Sequence, residues 1–297
     1  MNDKFQPFMG SKTSQTLRRN SVNLIGFPFD GTASFRKGAV LGPQAIRDVS
    51  EGIETYSPYL NLDLEDLNNF YDLGDLEIKG KDEKAFLTAN QAFRNLLSMR
   101  KMGLVKDNVR ILALGGEHSI SYCFIREALK EYPNLLLVHL DAHADLRDGY
   151  LGDHYSHASI IRRCLDHFGP EHELLQYGIR SGTKEEYAWM NEYHSLCVSR
   201  SELLEKVKKQ SSDRPIYLTL DLDYFDPSFF PGTGTPEPGG EDFHSFISLM
   251  KIFNEKNLIG ADVVELAPNI DATGNSSVFA AKVVRELVLS MGSKLTE

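Results

Sequence analysis

The sequence predicts a parallel α/β architecture, and three observations carry that prediction. Short aliphatic runs of strand length recur along the chain, each followed by a helical or loop stretch. One of them, Leu135 to Val138, is aliphatic without a break, as a strand buried on both faces requires. Aspartate and histidine gather where the runs stop, which is where a parallel sheet opens its crevice. About eight strands can be counted, and counting alone does not separate a closed barrel from an open sheet. The 297 residues suffice to bury one large core. The chain reads as a polar, loosely held N-terminal tail or interface arm over residues 1–20, followed by a single domain over residues 21–297.

Taken in order, Val22 to Phe27 is the first strand. It leads into the loop Asp30 to Gly42, where Gly31, Gly38 and Gly42, with the earlier Gly26, permit tight turns, and Pro43 suits the first turn of a helix. The loop lacks the GxxxxGK[ST] and GxGxxG patterns, so no nucleotide cradle is assigned to it. Asn69 to Asp72 is a short strand, and Asp82 to Met102 a helix with Phe86, Ala89, Phe93, Leu96 and Leu97 on one face. Val109 to Leu114 is the next strand. It ends in Gly115-Gly116-Glu117-His118-Ser119, whose paired glycines allow a sharp turn into a helix over Ile120 to Leu129 and lift His118 out at the strand end.

The central stretch runs from Leu135 to Gly149. Its apolar run leads directly into Asp141, His143 and Asp145, and on extended chain residues at i, i+2 and i+4 share a face while Ala142 and Ala144 point away. Arg147 to His157 is an exposed, polar loop of the kind that carries specificity, before a helix around Ala158 to His167. Strands follow at Leu174 to Ile179, Leu196 to Val198 and Ile216 to Leu222, with helices near Thr183 to Tyr193 and Ser201 to Gln210. Ile216 to Leu222 repeats the central device and delivers Asp221 and Asp223 before Asp226-Pro227 turns the chain away. A stiff turn segment from Pro231 to Gly240 precedes a helix over Phe243 to Phe253, the last strand Ile259 to Leu266 carries Glu265 near its end, and Ser276 to Met291 is an amphipathic helix.

His118, Asp141, His143, Asp145, Asp221 and Asp223 therefore converge at strand ends. Two imidazoles and four carboxylates exceed what one metal needs and suit two divalent ions bridged by carboxylates; hard oxygen ligands with imidazole and no thiolate favour manganese over zinc. Two M²⁺ and four carboxylates sum to zero, and a shared hydroxide leaves the site at minus one, matched to a substrate with one positive charge at its reacting group.

Composition excludes other classes. The formal charge of -10, with no sustained Lys/Arg run, argues against nucleic acid and anionic membrane surfaces. Cys123, Cys164 and Cys197 are too scattered for a disulfide framework or a CxxC site and read as reduced, packed thiols. No apolar run approaches the ~18 residues needed to span a bilayer, and the start lacks a signal-peptide core, so the expectation is a cytoplasmic protein.

The chain resembles the ureohydrolases, the arginase and agmatinase family, through Gly115-Gly116-Glu117-His118-Ser119, Asp141-Ala142-His143-Ala144-Asp145, and Asp221-Leu222-Asp223 running on to Asp226-Pro227 and Pro231-Gly232-Thr233-Gly234-Thr235-Pro236. The resemblance covers nearly the whole chain from about Ser21. It implies a three-layer α/β/α fold with an open, mostly parallel eight-stranded sheet. It also implies two Mn²⁺, one held by His118 and Asp145, the other by His143 and Asp223, with Asp141 and Asp221 bridging both. Phe29-Asp30-Gly31-Thr32, Glu54-Thr55-Tyr56-Ser57-Pro58 and Tyr155-Ser156-His157 resemble agmatinase segments rather than arginase ones, although many agmatinases have Gly where this chain has Ala158. The implied activity is hydrolysis of agmatine to putrescine and urea in polyamine biosynthesis. The alternative is the same chemistry on arginine, guanidinobutyrate or aminopropylagmatine.

Because an amide anion is a very poor leaving group, the departing amine must be protonated. Asp145 is expected to relay the nucleophile's proton, His157 to shuttle protons to the amine, and Glu265 to hold the guanidinium fork. Asp153 is the candidate acceptor for the distal ammonium. His139 reads as a packed residue behind the ligands. An inactive homologue acting as a binding partner would be signalled by a missing ligand, and all six are present. The resemblance further implies a homo-oligomer, a trimer or hexamer.

Overall fold

The computed structural model describes residues 5–99 and 101–295. In chain order the elements are β1 (Lys12–Thr13), β2 (Ser21–Phe27), α1 (Gly42–Ser50), β3 (Tyr56–Ser57), β4 (Leu62–Asp63), β5 (Phe70–Asp75), α2 (Glu83–Met99), β6 (Val109–Gly115), α3 (Ser121–Glu131), β7 (Leu136–Leu140), α4 (Ile160–Leu165), β8 (Glu173–Tyr177), α5 (Lys184–Glu192), β9 (Leu196–Cys197), α6 (Arg200–Lys209), β10 (Pro215–Asp221), α7 (Phe243–Phe253), β11 (Asn257–Val264) and α8 (Asn275–Gly292). β3 and β4 form a separate antiparallel hairpin. Among the described residues the other nine strands make one open sheet in the order β1-β5-β2-β6-β11-β10-β7-β8-β9, every neighbouring pair parallel. The sheet is open rather than a barrel. It has one strand more than the eight expected, because the two-residue β1 pairs along the edge of β5.

Alternation along the strands builds the two helical layers. Leu136, Val138 and Leu140 of β7 belong to the core that contains Ile46 of α1, Leu203 of α6, Phe246 of α7 and Leu287 of α8. Leu137 and the neighbouring Leu135 belong to the core on the other face, with Phe86 of α2, Phe124 of α3, Ile161 of α4 and Met190 of α5. The helix expected to run to Met102 ends at Met99, and Arg100 lies outside the described residues. Cys123, Cys164 and Cys197 are buried and unpaired, as expected. Among the described residues, no helix is long and apolar enough to cross a membrane.

The start of the chain corrects the sequence reading. Residues 1–4 lie outside the described residues, but residues 5–20 are not a loose arm. Phe8, Met9 and Leu17 are buried. Phe8 N donates to Asp72 Oδ2 at 2.9 Å and Met9 N to Ser50 Oγ at 3.0 Å. Their anchor is a buried ion pair in which Arg47 Nε and Nη2 donate to Asp72 at 2.8 and 3.0 Å and Nη1 donates to Asp75 at 2.6 Å. The few apolar residues of this segment are diluted by polar neighbours, so composition hides a clamp that depends on a partner some 60 residues away.

Replacing Asp72 by Asn removes the fully buried carboxylate that pairs Nε and Nη2 of Arg47 and leaves the guanidinium with Asp75 alone. The variant is expected to lose ~3–5 kcal/mol of stability in urea unfolding and to be cut faster by trypsin at Lys12. An unchanged unfolding midpoint contradicts the clamp.

Candidate metal centre

The four strands at the middle of the sheet, β6, β11, β10 and β7, are neighbours, and each runs to or directly toward a residue of the candidate site. β6 leads to His118, β11 to Glu265, β10 to Asp221 and β7 to Asp141. Local backbone differs from the expected alternation. β7 stops at Leu140, and the segment after it is held by Asp141 N donating to Tyr177 O at 3.3 Å and Ala144 N to Ser181 O at 3.1 Å. Asp145 then adopts a left-handed backbone with φ of 53°, and His143 and Asp145 line the same cavity, each grouped with Asp141. β10 ends at Asp221, and a 3-10 turn over Leu222–Tyr224 presents Asp223, whose N–H bonds Asp221 Oδ1 at 2.9 Å. The glycine pair before His118 serves close approach: a Cβ on Gly116 would come within 1.9 Å of Phe29 O.

Five of the six candidate ligands fall into two groups that share Asp141, and Asp221 lies beside the first of them. His118 Nδ1 is 3.0 Å from Asp141 Oδ2, 3.0 Å from Asp145 Oδ2 and 3.5 Å from Asp221 Oδ2. His143 Nδ1 is 3.0 Å from Asp223 Oδ2 and 3.5 Å from Asp141 Oδ1. Each group has the size and donor set to hold a metal ion.

The side chains behind them set which nitrogens are free. Thr219 Oγ1 donates to Asp262 Oδ1 at 2.7 Å, so it accepts from His118 Nε2 at 2.8 Å. In the neutral ring that leaves the buried His118 Nδ1 lone pair, with no hydrogen-bond donor to meet it, aimed at two carboxylates until a proton or a metal cation takes the place between them. Such an arrangement is repulsive until a cation sits between them, and it is the observation that fits the site to metal. His139, close enough to count as a ligand, is excluded by the same reasoning. The Gln176 amide is oriented by donating to Ala144 O and accepting from Ser195 Oγ, and it also donates to His139 Nδ1 at 3.1 Å. His139 Nε2 therefore carries the proton, which it donates to Asp141 Oδ2 at 2.8 Å. Sequence reasoning missed Thr219, Asp262 and Gln176; the signal was a polar residue inside each of three otherwise buried strands.

His118, His143, Asp145 and Asp221 line a cavity of about 230 Å³ whose wall also includes Ser34, Arg147, Tyr150, His157, Glu186 and Glu265. Glu265 has a left-handed backbone, φ 64°, and its Oε1 accepts from His118 N at 2.8 Å. His157 Nε2 lies 3.1 Å from Ser34 Oγ. Asp153 is not brought to the cavity: it pairs with Tyr150 through backbone bonds of 2.9 and 3.0 Å and is absent from the wall. His154 meets Arg163 outside it.

Burial and mutual repulsion govern the charges. Burial, then Asp223 and Asp141, push the Asp221 carboxyl well above its usual range. Burial, then Glu117, do the same for Glu265, and burial, then Asp141, raise Asp145. Burial alone would raise Asp141 too, but hydrogen bonds from His118, His139 and His143 hold it well below. Burial would lower both His118 and His143, and their carboxylate neighbours override it and raise them. His157 is pushed down to about 4, by burial and then by His143 and His118, and is neutral at pH 7.

The model of the arginase family matches residues 20–290. The agmatinase of Bacillus cereus is 38% identical over 284 residues, covering 94% of this chain and 94% of that one. The guanidinobutyrase of Pseudomonas aeruginosa is 31% identical over 281 residues, covering 89% of this chain and 84% of that one. The solved structure of proclavaminate amidinohydrolase from Streptomyces clavuligerus superposes with a TM-score of 0.85 at 28% identity, with 97% of each chain covered.

The charge pattern sets a pH test. Because His118 and His143 are raised above 6.5, the stability they contribute is fully present below about pH 6.5 and lost as pH rises through their folded values. Asp145, Asp221 and Glu265 act in the same direction, since ionising them costs more in the folded chain than in the unfolded one. Chelator-treated protein is expected to lose stability steadily from pH 6 to 9 in thermal unfolding, and a divalent cation, replacing the protons, is expected to flatten that loss. A metal-free midpoint that does not move over this range contradicts the coupling.

Proposed function

The chain belongs to the arginase family, and from that premise we propose that it is an agmatinase-type ureohydrolase, a binuclear manganese hydrolase that converts agmatine to putrescine and urea. The observation that carries this reading is the pair of His and carboxylate groups that share Asp141 and border a cavity also lined by Glu265 and His157. His118 and Asp145 would hold one ion and His143 and Asp223 the other, with Asp141 and Asp221 shared. Two bound Mn²⁺ ions would supply a nucleophile at neutral pH by lowering the pKa of water. Hard carboxylate ligands with imidazole and no thiolate support manganese. A trimeric or hexameric homo-oligomer in the cytoplasm rests on the family resemblance.

The chain's own groups do the rest. Glu265, at the cavity wall, offers a carboxylate to the planar guanidinium fork, which orients the carbon that is attacked. Asp145 takes up the proton released by the nucleophile. His157, neutral at pH 7, moves protons between solvent and the departing amine, which leaves as a neutral or protonated amine rather than an anion. Asp153 is not assigned to the distal ammonium, since it lies off the cavity wall. A second reading follows from Arg147, which lines the cavity with its guanidinium 4.7 Å over the Tyr150 ring: a cation there favours a guanidino substrate with a carboxylate tail, guanidinobutyrate.

Urea release by metal-stripped protein reloaded with Mn²⁺, measured on agmatine, arginine, guanidinobutyrate and aminopropylagmatine, separates the two. Agmatine is expected to be the preferred substrate. Preference for guanidinobutyrate moves the specificity to Arg147, and silence on all four with two metals bound overturns the activity. Glu265→Gln is expected to lower kcat/KM by roughly 100-fold or more, because removing one partner of a buried charge pair costs ~2–5 kcal/mol; a change below about threefold removes Glu265 from the substrate.

A further inference from the structure

His157 is held by two residues for which the proposed mechanism has no use. Glu117 is fully buried, and its carboxylate accepts from Thr32 N at 2.8 Å on Oε2 and from Thr32 Oγ1 and Ser119 Oγ, each at 2.6 Å, on Oε1. Glu117 N in turn donates to Phe29 O at 2.7 Å, fastening the loop that carries Thr32 onto the end of β6. A threonine hydroxyl has one proton, and Glu117 takes it. Only lone pairs remain on Thr32 Oγ1. They accept from the His157 backbone N–H at 3.1 Å and face His157 Nδ1 at 3.3 Å. A neutral imidazole has a single N–H, so the nitrogen facing Thr32 carries it. The bare Nε2 is then the one 3.1 Å from Ser34 Oγ in the cavity wall.

We propose that Glu117 and Thr32 are positioning residues that lock His157 in its Nδ1–H tautomer and so present an unprotonated Nε2 to the substrate. The proposal rests on the assignment of His157 to proton transfer, but the hydrogen-bond chain that defines it exists without substrate. The chain has a direction, and the direction can be reversed. In Glu117→Gln the amide oxygen must still face Thr32 N–H, so its NH₂ group takes the place of Oε1 and turns from acceptor to donor. Thr32 Oγ1 then accepts from it, and its own proton is released to His157 Nδ1. The imidazole switches to Nε2–H, and the nitrogen facing the cavity is no longer bare.

The test is ¹⁵N NMR of the full chain labelled at histidine and loaded with diamagnetic zinc, in which a protonated ring nitrogen resonates far upfield of a bare one. Wild type is expected to show Nδ1–H for His157 and Glu117→Gln to show Nε2–H, with thermal unfolding as the check that both are folded. Nε2–H in wild type, or the same tautomer in both, overturns the proposal. If Glu117→Gln does not fold, Thr32→Ser is expected to keep Nδ1–H and Thr32→Val to lose it; one tautomer in both variants overturns the proposal equally. With manganese, Thr32→Val is expected to lower kcat about 10- to 100-fold with KM little changed, and Thr32→Ser to restore it. Because the tautomer is read without substrate, an inactive protein sinks the proposed activity and leaves this measurement to stand or fall separately.

Discussion

Five carboxylates at adjacent strand ends, Asp141, Asp145, Asp221, Asp223 and Glu265, are all nine-tenths or more buried, and they cannot all carry charge in that space without a counter-charge. This repulsion is the constraint on which the rest of the structure depends. It accounts for the raised carboxyls and for the imidazoles held protonated beside them. Protons relieve it in the metal-free chain, and two divalent cations relieve it more completely.

Holding such a cluster together takes a rigid frame. Parallel strands buried on both faces supply it, and the adjacency of β6, β11, β10 and β7 brings ligands from four separate parts of the chain to one edge. Asp145 and Glu265 sit in left-handed backbone that costs ~1–3 kcal/mol each, tolerated where surrounding bonds over-determine it. Buried relays finish the job: Asp262 through Thr219 onto His118, Gln176 through His139 onto Asp141, and Glu117 through Thr32 onto His157. Each leaves one ring nitrogen with a defined role.

Much of this was legible in the sequence because its signals are local. An aliphatic run such as Leu135 to Val138 marks a strand wherever it occurs, and Asp141, His143, Asp145 and Asp221, Asp223 stand within a few residues of the runs that deliver them. What was not legible depends on distant partners. The clamp on Phe8 needs Asp72 and Arg47, and the side chains that orient the ligands do so through pairs such as His118 with Thr219 that meet only across the sheet. Backbone hand was also hidden: alternation along Asp141 to Asp145 brought the three residues to one site but did not reveal the left-handed backbone at Asp145. Asp153 was chosen for its nearness in sequence to the loop histidine, and of the paired residues Tyr150 and Asp153 only Tyr150 lines the cavity.

We infer that the carboxylate cluster accepts two cations that share Asp141 and Asp221. Anomalous diffraction from crystals grown with Mn²⁺ tests it most directly. The account predicts two manganese peaks, one against His118 and Asp145 and the other against His143 and Asp223, with His139 contacting neither. A single peak, or a manganese bound by His139, would contradict it.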